Sequence, residues 1–165
     1  MKKLLVLGLF LTGTAAQTAH PHLNKTITTT LHGPVEVSVS YQTASAREID
    51  PEASPVGRFI NPWAPILSLS EDVKSGATHI PSGRYTIGLI KNGPGDWTLA
   101  LHPGRLRQRE VAVTPRLIPL DTLFSDSNGS SDHLVIDFSP GTGRFEGKVV
   151  LTFHLGTLFL AAELR

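Results

Sequence analysis

The sequence predicts an all-β protein, an antiparallel β-sandwich of about eight strands. Three observations lead to this fold class. Apolar and polar residues alternate with a period of two in several segments, as they do in half-buried strands. The 165 residues include 15 glycines and 12 prolines, which divide the chain into short pieces. No stretch has the apolar spacing of a good amphipathic helix, so two packed sheets are the expected architecture.

Residues 1–16 are predicted to be a signal peptide. Two lysines precede an apolar run over residues 4–11, and small residues follow it up to Ala16. The run is too short for a transmembrane helix, which needs about 20 apolar residues. We therefore expect cleavage after Ala16, with a second cleavage position after Ala19. Residues 17–165 would then form a single β-sandwich domain.

Composition excludes several classes of protein. The chain has no cysteine, which excludes disulfides, zinc–thiolate sites and a lipid-modified cysteine anchor. Its formal net charge of +1 gives no electrostatic reason to expect a nucleic-acid partner. No second long apolar run follows the first, so no membrane span is expected. The sequence predicts a soluble exported protein, periplasmic or secreted, that is not lipid-anchored.

Strands are predicted along most of the mature chain. Residues 35–41 alternate cleanly, and residues 27–31 form another strand before them. Residues 84–90 and 97–101 are strand-like and are separated by a Gly/Pro-rich turn. Tyr85 and Trp97 alternate in step with the apolar residues of these strands and are therefore expected in the core. Residues 110–119 contain two prolines, which an edge strand tolerates.

The C-terminal segment predicts two hairpins. Apolar residues alternate over 134–138, 149–153 and 158–164, with a Pro-Gly-Thr-Gly turn after the first strand. Placing each apolar set on the core side predicts residue 138 opposite 149, and 153 opposite 158. This arrangement puts the second turn at Leu155-Gly156.

The same register has two consequences for the solvent side of the sheet. Lys148 would face Glu163 as an exposed ion pair. His133 would lie directly opposite His154, with about 5 Å between their Cβ atoms, close enough for two imidazoles to share a zinc or copper ion. The alternative is two histidines on a solvated sheet. No other cofactor is predicted.

Two segments resemble a known bacterial family of exported proteins. Residues 80–86 read Ile-Pro-Ser-Gly-Arg-Tyr-Thr, residues 96–99 read Asp-Trp-Thr-Leu, and residues 147–153 read Gly-Lys-Val-Val-Leu-Thr-Phe. These patterns are similar to the core and the ending of the domain of unknown function numbered twenty-nine eleven. The resemblance implies an exported β-sandwich and assigns no catalytic residue.

The chain departs from that family in one segment. Family members carry a Trp-Arg-Thr-Gly-Ala-Asn-like stretch before the Pro/Gly turn, whereas residues 61–69 read Asn-Pro-Trp-Ala-Pro-Ile-Leu-Ser-Leu. Only Trp63 is comparable.

Four residues are candidates for ligand binding. Trp63 lies between prolines at the end of a long irregular segment, residues 42–64, and is the aromatic residue expected to be exposed. Arg105, Arg107 and Arg109 alternate along a basic run that suits an anionic glycan or lipid headgroup. Loops held on a rigid scaffold often carry binding sites. A solvated sheet edge, or a tryptophan that plugs one end of the sandwich, is the structural alternative.

No catalytic residue is predicted. The serines do not lie in a strained Gly-x-Ser-x-Gly turn, and the adjacent Glu71 and Asp72 would point to opposite faces of a strand. We therefore expect a non-catalytic binding or interaction module of the cell envelope, with a glycan or an envelope protein as partner. The alternatives are a metal-binding protein or metal-dependent enzyme that uses the surface histidines, and a structural component of the envelope.

Overall fold

The computed structural model describes residues 22–107 and 116–165. The predicted signal peptide, residues 1–16, and the binding candidate Arg109 lie outside these ranges. Regular structure in the described residues is almost entirely β, and all pairing between the strands is antiparallel. The predicted all-β class is confirmed. More than eight strands are present, because short segments such as Phe59–Ile60 also pair.

The described strands are β1 (Asn24–Thr30), β2 (Glu36–Gln42), β3 (Phe59–Ile60), β4 (Ile66–Leu69), β5 (Val73–Ser75), β6 (Thr78–Ile80), β7 (Gly83–Gly93), β8 (Asp96–Pro103), β9 (Ile118–Pro119), β10 (Thr122–Ser125), β11 (Ser131–Pro140), β12 (Val149–Gly156) and β13 (Leu158–Leu164). Two single-turn 3₁₀ helices occupy Ala46–Glu48 and Gly143–Phe145.

The strands form two large layers and one small hairpin. The large sheet has the order β1-β2-β4-β7-β8-β9, with β3 also paired to β7. The small sheet has the order β10-β13-β12-β11, and β5 and β6 form a separate hairpin. The Pro-containing strand β9 ends the large sheet, as expected for an edge position. Buried side chains from both sheets form one continuous core, so the arrangement is sandwich-like.

Alternation along the strands explains the core. Val37, Val39 and Tyr41 of β2 are buried, and the intervening serines face outward. Leu151 and Phe153 of β12 are fully buried. A hydrogen bond from Tyr41 Oη to the Ile136 carbonyl oxygen, 3.1 Å long, joins the two layers inside the core. Strands β2 and β12 therefore each bury one face, and these faces meet between the sheets.

The two aromatic residues predicted to lie in the core do so. Trp97 is buried and donates its indole N–H to Glu52 Oε1 at 3.2 Å. Lys91 Nζ pairs with the other carboxylate oxygen of Glu52 at 2.8 Å. Tyr85 is also buried. Contacts from Glu52 thus fasten the long irregular segment to the hairpin formed by β7 and β8.

The register predicted for the C-terminal hairpins is wrong by two residues. In the structure Phe138 pairs with Leu151 rather than with Val149, and Phe153 pairs with Leu160 rather than with Leu158. The second turn is at Gly156-Thr157, where Gly156 has a φ of 59°, a left-handed conformation that glycine adopts without strain. A shift of two residues keeps every side chain on its face, so the predicted core faces remain correct.

The sequence predicts Lys148 and Glu163 as a solvent-exposed ion pair, and the predicted exposure of Glu163 is wrong. The two side chains do pair, but Glu163 is buried, with 1% of its side chain exposed. Its second carboxylate oxygen accepts the Gly76 N–H at 2.8 Å in the turn between β5 and β6. Backbone hydrogen bonds between Lys74 and Arg165 continue this contact. Glu163 therefore fastens the β5–β6 hairpin to the edge of the small sheet.

Candidate functional site

The large sheet is interrupted beside Trp63. Strands β3 and β4 pair with the same edge of β7, β3 at Leu89 and Ile90 and β4 from Gly83 to Thr86. Five residues, 61–65, connect the last residue of β3 to the first residue of β4. Their partners in β7, Leu89 and Thr86, are separated by only two residues. The extra residues must loop out of the sheet, as they do at a β-bulge, and such irregularities redirect side chains.

The loop carries backbone strain at two neighbouring residues. Trp63 has a φ of 61° and Ala64 a φ of 46°, and they are the non-glycine residues with positive φ in the described chain. Each such conformation costs about 1–3 kcal/mol and persists only where its surroundings hold it. Here the Pro65 carbonyl oxygen accepts the Ile87 N–H at 2.8 Å, which closes the loop against β7.

Gly88 makes this interruption sterically feasible. It lies in β7 opposite the point where the chain leaves β3. A Cβ atom at position 88 would overlap the Ile60 carbonyl oxygen and the ring of Phe59. Phe59 belongs to a small outer cluster with Ala100 and Leu106 that covers this part of the large sheet. The missing side chain therefore lets the loop and the outer cluster approach β7 closely.

The Trp63 ring is half-buried rather than exposed, because neighbouring side chains position it. The His22 ring stacks on it with 4.6 Å between centroids. His22 is held in turn by a 3.2 Å hydrogen bond from Nδ1 to the Thr43 carbonyl oxygen and by Glu48 Oε1, 3.5 Å from Nε2. The indole is thus fixed in orientation while part of its surface remains accessible.

A buried hydroxyl group places the two described arginines of the basic run. Thr86 Oγ1 donates to the Gly104 carbonyl oxygen at 2.9 Å and accepts the Leu106 N–H at 2.9 Å. Leu106 is buried in the outer cluster. Its neighbours Arg105 and Arg107 remain exposed. The segment after β8 is therefore anchored through Leu106 and presents an arginine on each side of it.

These elements meet in a cleft of about 660 Å³, which we call the Trp63 cleft. Trp63, Arg105 and Arg107, three of the four predicted binding residues, all line it. Arg84 and Lys25 line it as well. Lys25, Arg84 and Arg105 form no ion pair with any residue that the structure describes. The cleft therefore combines an aromatic surface with positive charge on Lys25, Arg84 and Arg105 that no described carboxylate neutralises.

Sequence reasoning missed Lys25 and Arg84. Arg84 belongs to the run at residues 80–86 that carries the family resemblance. In that run the turn before β7 is fixed by a hydrogen bond from the Ser82 N–H to Asp72 Oδ1, 2.8 Å long, and by Tyr85 Oη donating to the Pro81 carbonyl oxygen at 2.6 Å. The motif therefore builds a turn and starts β7 in the phase that turns Arg84 outward.

Electrostatics support the same interpretation of this turn. The Ser82 backbone N–H, together with His79 at 3.1 Å, lowers the pKa of Asp72. Burial, with a smaller effect from the Asp72 charge, raises the pKa of Tyr85, so its hydroxyl remains a donor. The turn uses Asp72 as an ionised acceptor for the Ser82 N–H and Tyr85 as a protonated donor to the Pro81 carbonyl oxygen, and both pKa shifts favour these forms.

The predicted pairing of His133 with His154 is wrong. Val135 lies opposite His154, because the register shifts between Ser131 and Val135, and His133 instead forms an isolated bridge to Ser45. The His154 ring packs edge-on against Phe159, with centroids 5.5 Å apart. Within residues 22–107 and 116–165, no group of three His, Cys, Asp or Glu side chains is placed to hold a metal ion.

A second cleft, of about 630 Å³, lies between the end of β1 and the loop that joins β11 to β12. Glu146 and Lys148 line it. Lys148 is already paired with Glu163. The positive group of this cleft is therefore already paired, unlike Lys25, Arg84 and Arg105 of the Trp63 cleft.

None of the helices in the described part of the chain has the length and apolar character needed to cross a membrane. Comparison of the chain with protein-family models, with curated proteins and with solved structures finds no match. Function must therefore be inferred from the geometry of the Trp63 cleft.

Proposed function

We propose that this protein is a non-catalytic binding module of the cell envelope that recognises an anionic ligand in the Trp63 cleft. One observation carries the proposal: the two strained residues Trp63 and Ala64 line the same cleft as Lys25, Arg84 and Arg105. Strain retained at a surface site is typical of functional positions, since stability alone would select against it.

The charges define the ligand as an anion. Arginine presents a planar set of donors that fits a carboxylate or a phosphate with two parallel hydrogen bonds. Two of the cleft arginines, Arg84 and Arg105, stand on segments that are joined by a 2.9 Å hydrogen bond from the Gly104 N–H to the Arg84 carbonyl oxygen. Their backbones are therefore fixed relative to each other, which reduces the entropy lost on binding.

Recognition rather than chemistry is favoured by the residue types present. The described residues that line the Trp63 cleft include no Asp, Glu, His or Cys, the groups that most often act as general acids, bases or nucleophiles. They include instead amide and hydroxyl side chains, such as Asn24, Gln42 and Ser40. Such groups orient a polar ligand without reacting with it.

Export and family membership belong to the same proposal. The two lysines and the apolar run within residues 1–16 support secretion to the periplasm or the exterior. The turn built by residues 80–86 supports relationship to the exported family that the sequence resembles. An anionic envelope glycan is a ligand that the protein would meet there.

The proposal is tested by calorimetric titration of the purified protein with the acidic sugars N-acetylneuraminic acid and glucuronic acid, and with neutral glucose as a comparison. We expect at least one acidic sugar to bind and glucose to bind at least about tenfold more weakly, since a charge-assisted hydrogen bond contributes ~1.5–3 kcal/mol. Arg84→Gln and Arg105→Gln should each weaken acidic-sugar binding by about tenfold or more.

Arg58→Gln is the matched control, because Arg58 is exposed and lies on the segment beside Lys91, at the far end of β7 from Arg84. It should leave binding unchanged. The proposed function would be contradicted if neither acidic sugar binds, or if Arg58→Gln lowers the affinity as much as Arg84→Gln and Arg105→Gln do.

A further inference from the structure

The surface next to the Trp63 cleft is a ladder of small hydroxyl side chains. On the outward face of the large sheet, Thr28 of β1 pairs with Ser38 of β2, and Ser38 pairs with Ser68 of β4. One row closer to the cleft, Thr26 pairs with Ser40, with 3.1 Å between their hydroxyl oxygens. Strands β1, β2 and β4 thus offer a surface of hydroxyl side chains.

This surface is open to solvent and continues past the cleft. Thr26, Thr28 and Thr30 of β1 are all exposed. Alternate residues of a strand are about 6.8 Å apart, so the hydroxyl surface extends about 14 Å from Thr26 to Thr30. That length exceeds what one sugar ring requires and suits a short oligosaccharide.

Charge changes across the same face. Arg84 of β7 continues the row formed by Thr28, Ser38 and Ser68, whereas the next row pairs Thr30 with Glu36. Glu36 is exposed, and its backbone N–H donates to Ser70 Oγ at 2.8 Å. The outward face is therefore positive at Arg84 on β7, neutral along the threonines and serines of β4, β2 and β1, and negative at Glu36.

We infer that the ligand is a short saccharide with one acidic sugar at its end, bound with that sugar in the Trp63 cleft and its neutral sugars along the hydroxyl surface toward Glu36. The inference rests on the proposed function and names its ligand class. A uniformly charged polyanion fits less well, because its far charges would lie beside the Glu36 carboxylate.

A lipid bilayer is a poorer occupant of this surface than a saccharide. Exposed large apolar side chains in the described residues are Leu23, Val56, Leu123 and Val135, and only Leu23 neighbours a residue of the cleft. One leucine buries too little apolar area for stable membrane association. The half-buried indole, by contrast, lines the cleft and leaves part of its apolar surface for contact with a sugar ring.

The test compares each acidic sugar with the longer saccharide that contains it. The probes are N-acetylneuraminic acid against sialyllactose, and glucuronic acid against glucuronosyl-xylotriose, titrated calorimetrically into the purified protein. At least one longer saccharide should bind about tenfold tighter or more than its acidic sugar, the gain from one or two added hydrogen bonds. Trigalacturonate, uniformly charged, should show a smaller gain over galacturonate.

The variant Thr28→Glu places a negative charge in the middle of the hydroxyl surface. It should remove most of the gain with length and leave binding of the isolated acidic sugar unchanged. Thr157→Glu is the matched control, since Thr157 is exposed in the turn between β12 and β13; it should change neither value.

The outcomes separate the two proposals. If neither acidic sugar binds, the proposed function fails. If an acidic sugar binds in an Arg84-dependent manner but neither longer saccharide binds more tightly, or Thr28→Glu leaves the gain intact, the extended site is wrong and the cleft binds a single acidic group. Equal or tighter binding of phosphatidylglycerol vesicles would also overturn the saccharide inference.

Discussion

The large sheet and the small sheet of this protein differ in their regularity. In the small sheet β12 and β13 pair along their full length, and the register of β11 shifts between Ser131 and Val135, near its start. The large sheet is interrupted twice: residues 61–65 loop out between β3 and β4, and the chain after β8 forms a parallel bridge from Gly104 to Tyr85. The Trp63 cleft forms where these two interruptions meet.

The small sheet contributes mainly to stability, whereas the large sheet also forms the candidate binding site. The small sheet contributes fully buried residues such as Leu151, Phe153 and Leu160 to the core, with continuous hydrogen bonding. The large sheet contributes to the same core with its inner face and carries two strained residues in the loop 61–65, where Trp63 packs against that core. Burial in the common core offsets that strain, so the interrupted sheet can present a site that an isolated irregular sheet could not hold.

The largest expected effect is in the regular sheet. Leu151→Asp places an unpaired charge in the core and should leave the protein unfolded, because burial of an unpaired carboxylate costs more than the typical stability of a domain allows. Thr152→Lys, one residue away, places its side chain opposite Asp137 and should be tolerated. Circular dichroism and thermal denaturation measure both; equal damage from the two changes would contradict the assigned faces.

An intermediate effect is expected at the interruption. Gly88→Ala introduces a Cβ into the space taken by the Ile60 carbonyl oxygen and the Phe59 ring, and should destabilise the protein by about 1–3 kcal/mol. Gly93→Ala, in the same strand, meets no atom within 4 Å among the described residues and should be nearly neutral. Denaturant unfolding gives both values. Similar costs would show that the close approach at Gly88 is not real.

A smaller effect is expected where the small sheet holds the β5–β6 hairpin. Burial raises the pKa of Glu163, but hydrogen bonds from Lys148 and the Gly76 N–H, with the Arg165 charge, outweigh it, so the net pKa is lowered. A lowered carboxyl pKa contributes stability above the unfolded-state pKa, and the contribution is lost as pH falls through the folded-state pKa.

Glu163→Gln should therefore destabilise the protein by about 1–2 kcal/mol at neutral pH and flatten the loss of stability below the ordinary glutamate pKa. Denaturant unfolding between neutral and acidic pH measures this. Glu146→Gln, an exposed carboxylate, is the control. An unchanged acid limb in Glu163→Gln would contradict the role given to this carboxylate.

Local patterns predicted the faces of the strands but not their register. Alternation over 134–138, 149–153 and 158–164 placed the correct residues in the core, because a side-chain period of two survives any even shift. Turn geometry sets the register, and here Gly156 occupies the first central position of the second turn, not the last. That choice depends on backbone conformation, which composition does not specify. The error gave Glu163 and His154 the wrong cross-strand partners.

About half of the cleft could be predicted from the sequence. Trp63 was recognisable because two prolines flank it, and Arg105 and Arg107 because they form a basic run. Lys25 and Arg84 lie within segments that alternate as strands do. In such a segment a charged residue is interpreted as an ordinary solvent-exposed position, so neither residue stood out. Lys25 and Arg84 reach the same cleft only because β1 and β7 belong to one sheet, with β2 and β4 between them.

The most direct test of the central claim uses the Trp63 indole as its own reporter. The chain has two tryptophans, and Trp97 is buried in the core, so Trp97→Phe leaves Trp63 as the single tryptophan whose emission is followed. Titration of this variant with sialyllactose and glucuronosyl-xylotriose should give a saturable change in emission that Arg84→Gln removes. A folded variant whose emission stays constant with both saccharides would contradict the claim that the Trp63 cleft is the binding site.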